Sequence, residues 1–272
     1  MGFASLRSMS EFWPAISIPL GETRHWEIGL LDLWIHHASG EWRVWHRTGG
    51  GASQDGRYLL AEPCDEPDGA AQRRFATVAS GDKIRLRPAY PDRPIVSYPG
   101  SSISVPAKSE ASFVCGLPLA LEIVVGGKKK GASLITLPLR NLSKTWFGTP
   151  LAGEPCYSAS TNAVRDHLEL SPNKYRALCP VRVSNRSKEN LPVDRICIHV
   201  EHLQLYEGKD YLWSNGVSVV KESESETSRV TYESGPPDVE PTAELVTEPR
   251  VVPPSNSVFL KTFNQLRSAL AE

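Results

Sequence analysis

Residues 26–45 read WEIGLLDLWIHHASGEWRVW. Side chains on a strand alternate between two faces, so a half-buried strand shows its apolar residues at every second position. Trp26 and Ile28 alternate with charged neighbours, and Leu31, Leu33 and Ile35 continue on odd positions. Ala38-Ser39-Gly40 supplies turn residues, and Glu41-Trp42-Arg43-Val44-Trp45 returns. This pattern predicts a β-meander with a hairpin near Ser39.

Working outward, the same texture persists. Twenty-two prolines and twenty glycines divide the 272 residues into short pieces, which suits strands and turns better than long helices. Residues 83–87, 95–98, 103–105, 112–125, 132–139, 156–164 and 181–183 read as strands, with Gly126 and Gly131 turning the chain between two of them. Ile196, Ile198 and Val200 share one phase, whereas Leu203 and Leu205 shift to odd positions, as a β-bulge would produce. Residues 211–220 and 228–232 predict a further hairpin. Six prolines between 235 and 254 disfavour helix and predict an extended linker or an edge-covering segment. Beyond it, Ser255 or Ser257 can cap a helix on which Phe259, Phe263, Leu266 and Leu270 recur at helical spacing. The expected architecture is therefore mostly β. An irregular lead-in (1–23) precedes a core (24–234) that is an antiparallel β-sandwich or two packed β-lobes split near residue 110. A proline-rich linker (235–254) and one amphipathic C-terminal helix (255–272) follow.

Composition narrows the function classes. The formal net charge is −1, which gives no electrostatic case for nucleic acid. Charge is segregated locally, with eight acidic against two basic residues between Lys221 and Glu248. The five cysteines are odd in number and none is spaced C-x-x-C, against a disulfide framework or a zinc knuckle. No apolar core of signal-peptide length opens the chain, and Leu6 stands where a myristoylation signal wants Ser or Thr. The most apolar stretch, residues 115–125, is too short to span a bilayer. The expectation is a cytoplasmic protein with no membrane span and no cofactor.

Three surfaces carry candidate chemistry. Cys197, His199 and Glu201 are two apart, so on a strand they face one way, and all three are credible zinc or iron ligands. Lys128, Lys129 and Lys130 lie between glycines on a predicted hairpin tip and offer positive charge to phosphate or to an anionic membrane surface. The stripe Phe259, Phe263, Leu266 and Leu270 would dock on the protein's own sheet or on a partner. His36-His37 cannot chelate one ion from adjacent strand positions, and no G-x-S-x-G elbow accompanies His167.

Several segments carry a family resemblance: TWFGTPLAGEPCYSASTNAV (145–164), WEIGLLDLWI with its EWRVW return, and PVRVSNRSKENLPVDRICIHVEHLQLY (180–206). They resemble an uncharacterised bacterial and archaeal family, number 432 of the domains of unknown function, over about residues 26–232. That family has no established activity, so the resemblance assigns no catalytic residue. Its genes lie near those of small-conductance mechanosensitive channels, which implies such a channel as the protein partner. The functional expectation is a non-enzymatic binding or regulatory β-protein. The alternative is a metal-dependent or carbohydrate-handling enzyme on a β-scaffold, using Cys197, His199 and Glu201.

Overall fold

A computed structural model describes residues 13, 15–49, 58–60, 63–76, 82–99, 103–126, 131–160, 163–222, 227–252, 257–260 and 262–263. Two compact units form, and each is built from separate stretches of chain. The first comprises Met1–Ala89 and Leu119–Asn141, the second Tyr90–Pro118 and Leu142–Glu272.

The opening meander lies at the centre of the first unit. Thr23–Ile28, Leu31–Ala38 and Glu41–Thr48 are antiparallel neighbours, flanked by Tyr58–Leu60 and Ala71–Ala76 in a five-stranded sheet. Ala38 pairs with Glu41 around a two-residue loop. Gly40 takes φ +74° there, a conformation that costs glycine little. The register places Trp26 against Leu33 and Ile35 against Val44, so one face carries the alternating apolar residues. Trp26, Ile28, Leu33, Ile35 and Val44 are fully buried on it. Each such side chain stabilises the fold by about 1.5–3 kcal/mol. The unit's second sheet, also antiparallel, has the order Ala15–Ser17, Lys83–Ala89, Ala120–Val125, Ala132–Pro138. Leu30 N–H donates to the Leu139 carbonyl and ties the two sheets' connections together.

The second unit is mixed rather than purely antiparallel. Arg176–Asn185 pairs antiparallel with Ser109–Pro118 on one edge and parallel with Leu212–Ser214 and Val217–Lys221 on the other. Val217–Lys221 and Ser228–Tyr232 form the expected second hairpin, although residues 215 and 216 interrupt the long strand that the sequence predicts. Asn185 holds the end of the central strand. Its amide donates to the carbonyls of Val105, Pro106 and Glu189, and its Oδ1 accepts from Ser187. A smaller sheet has the order Ser143–Phe147, Glu154–Ser160, Ile95–Tyr98, Ile196–Ile198, with a parallel pair at its centre.

Helix is confined, among the described residues, to the short 3-10 turns His167–Glu169 and Val200–His202. No helix there is long and apolar enough to cross a membrane. The second turn replaces the bulge expected near Leu203. The proline-rich stretch adds a strand, Glu244–Thr247, to the edge strand Leu205–Glu207.

The expected C-terminal helix is corrected at its start. Ser257–Leu260 is a strand on Ser228–Tyr232, and Phe263 forms a bridge with Ile196. The physical reason is the open edge of Ser228–Tyr232: its unpaired backbone groups are satisfied by a strand and would not be by a helix. Phe263 is buried rather than free for a partner. Phe259 lies in the strand, while Leu266 and Leu270, with the rest of 264–272, lie outside the described residues.

Candidate metal centre

The site begins at a tight turn. Ser143–Phe147 and Glu154–Ser160 are paired from Phe147↔Glu154 onward. The TWFGTP segment makes the connection. Gly148 has φ +105°, and the Trp146 indole N–H donates to the Thr149 carbonyl at 3.0 Å. Gly153 packs so closely that a Cβ would stand 2.2 Å from Trp146 Nε1 and 2.6 Å from the Phe147 carbonyl oxygen. This compact turn fixes where the next strand starts and therefore which of its side chains face the core.

Glu154 and Cys156 are two apart on that strand and share a face. Ile95–Tyr98 lies beside it, and Ile196–Ile198 lies on the far side, with Cys197 directly opposite Val96. Both cysteines lean over the strand between them. Their sulfurs stand 3.8 Å apart, and Cys156 and Cys197 are 0 % and 3 % exposed. Val96 and Phe147 pack with them in one apolar cluster, with Tyr98 alongside. A carboxylate oxygen of Glu154 and both sulfurs all lie within 4.8 Å of one another. His199 follows Cys197 by two residues, and its Nε2 is 2.8 Å from Glu154 Oε1.

Electrostatics agree with this grouping. The hydrogen bond to His199 holds the Glu154 carboxyl below its usual range, against an opposing effect of partial burial. Cys197 is pushed well up, first by its hydrogen bond with Cys156, then by burial, then by the nearby carboxylates. The Cys197 thiol is therefore held protonated, and a cation that ligates it must displace its proton. Cys115 and Cys179 are different. They oppose one another in the register of their strands, but burial raises Cys115 to about 11 and drives Cys179 higher still. Buried thiols without a cation-like partner are inert.

The geometry discriminates between a disulfide and a metal. Strands two places apart stand about 9.5 Å apart, whereas bonded cysteines have Cα atoms within about 7 Å. An S–S bond would require the sheet to pinch over Val96. A tetrahedral zinc with Zn–S bonds of ~2.3 Å separates two thiolates by about 3.8 Å, the spacing seen here. Two sulfurs and a carboxylate form a donor set for zinc, and His199 stands where it can orient the carboxylate or become a fourth donor.

Of the residues that the sequence singles out, Cys197 lies in the strand Ile196–Ile198, whereas His199 lies just beyond it, at the start of the Val200–His202 turn, and reaches the site through Glu154. Glu201 lies in the Val200–His202 turn, its carboxylate 4.0 Å from His202, and is not in the clustered donor group. Glu154 and Cys156 take its place. The signal for them was the Glu-Pro-Cys spacing within TWFGTPLAGEPC, which repeats the two-residue period of Cys197 and His199. Lys128, Lys129 and Lys130 lie outside the described residues.

A family model described as a protein of unknown function, DUF432, matches residues 12–267. The chain belongs to the DUF432 family. The match spans both units, so Cys156 and Cys197 lie within the DUF432 region together with the strands that carry them. Searches of the curated proteins and of the solved structures return no match.

Proposed function

We propose that this DUF432 protein is a non-enzymatic binding and regulatory protein whose ligand is a thiophilic divalent cation, zinc first. Glu154, Cys156 and Cys197 hold the ion, and His199 supports Glu154. The observation that carries this reading is the 3.8 Å spacing of two buried sulfurs on strands that a disulfide would have to distort. Burial favours a bound, regulatory ion over a catalytic one, because a catalytic zinc keeps a coordination position open to substrate. An enzymatic reading would need that opening at Glu154, whose side chain is 37 % exposed.

Metal analysis of the purified protein tests the proposal. After exchange against a zinc buffer, the native chain is expected to hold about one zinc more than the C156S/C197S double variant. A double variant that holds as much zinc as the native chain would sink the reading, and so would a native chain that takes none up.

The partner that we propose is a membrane channel of the small-conductance mechanosensitive class, on the strength of the family resemblance. Affinity purification from native cells, membrane fraction included, should recover the channel. Pull-downs that consistently lack it count against this partner and leave the metal reading to its own test.

A further inference from the structure

The first unit's five-stranded sheet has a second face, which carries a cluster that the thiol centre does not use. His25 and Glu27 are two apart on Thr23–Ile28 and share that face. Asp32 stands directly opposite Glu27, and Trp34 directly opposite His25. One donor atom from each of His25, Glu27 and Asp32 lies within 4.8 Å of the others.

Two features mark this arrangement. Glu27 and Asp32 set like charges directly opposite one another across an antiparallel pair, with Asp32 only 6 % exposed and paired with Arg47. His25 Nε2 is buried and has no hydrogen-bond partner, although buried polar atoms are nearly always paired.

The surroundings hold the donors in place. The His25 ring stacks on Trp34 with centroids 4.4 Å apart and planes 13° from parallel. Arg47 donates from Nε and Nη2 to the same oxygen of Asp32, at 3.2 and 3.0 Å. Its guanidinium lies 5.4 Å over the Trp34 ring. Because both bonds fall on Oδ2, the other oxygen of Asp32 is left for a ligand. This is the kind of support that orients a metal-binding carboxylate.

We propose that His25, Glu27 and Asp32 form a second cation site. It offers one imidazole nitrogen and two carboxylate oxygens, a harder donor set than the thiol centre, suited to manganese and similar divalent ions. It belongs to the other unit and does not depend on the zinc reading.

Mn2+ titration of the full chain, read by the electron paramagnetic resonance signal of the free ion, tests it. The C156S/C197S variant serves as the background, so that loss of the thiol centre cannot be confused with loss of this one. Uptake of about one Mn2+ is expected in that background, and E27Q should weaken it by more than about 100-fold, beyond the loss that an outer-shell partner alone would cause. H25Q should do the same, so the test survives if one variant fails to fold. In the native chain, bound Mn2+ should broaden the nuclear magnetic resonance signals of His25 and Trp34 before others. Mn2+ that stays free, binding untouched by both substitutions, or broadening centred elsewhere would each overturn the site.

Discussion

Truncating Trp213 to alanine should lower the stability of the second unit by about 3–5 kcal/mol. Trp213 is 1 % exposed and packs with Val114, Leu170, Leu178, Tyr206 and Ala243. Its removal leaves a cavity that the surrounding strands, fixed by their ladders, can collapse into only partly. It also strands a carboxylate. The indole N–H donates to Glu240 Oε2 at 2.5 Å, and Glu240 also accepts from the Lys209 N–H. Glu240 lies so close to Gly208 that a Cβ there would stand 2.0 Å from its Oε2. Removing the indole therefore leaves this carboxylate with one donor fewer. Trp213→Phe keeps most of the volume and loses the N–H, so about 1–3 kcal/mol is expected from the lost donor. Urea unfolding followed by circular dichroism gives both values. A Trp213→Ala loss below about 1 kcal/mol would mean that this cluster does not carry the unit's stability.

The second large effect is linked to the metal. A ligand that binds only the folded state stabilises it by about 2.7 kcal/mol at one hundred times its dissociation constant. For a unit of this size that corresponds to roughly 5–11 °C in melting temperature. Zinc should raise the melting transition of the unit that holds Cys156 and Cys197, and a chelator should reverse the rise. In C156S/C197S the same zinc concentration should leave that unit's transition where it is. An equal shift in that variant, measured by calorimetry, would show that the stabilising ion sits elsewhere.

The two predictions probe different kinds of information in the chain. Trp213 was legible as one more bulky residue in a short apolar run, but its partner was not. Glu240 lies twenty-seven residues away in the proline-rich stretch, whose composition reads as a spacer. Prolines exclude helix there, yet they leave the chain free to lay a short strand on the edge at Leu205–Glu207. At the C-terminus, helical spacing of Phe259 and Phe263 competes with an open sheet edge. The edge wins at Ser257–Leu260 because each residue laid on it satisfies backbone groups that a short isolated helix would leave marginal.

The sequence by itself determined the β character and the meander at Trp26–Trp45. That reading succeeds because a two-residue period and a Ser39-Gly40 turn are local properties. Only the tertiary structure decided how the proposed metal centre is assembled. Cys156 lies forty-one residues from Cys197, and the two meet because both strands flank Ile95–Tyr98, one parallel and one antiparallel. Parallel pairing needs a long crossover, and nothing in the local pattern of either strand specifies which distant strand it will join.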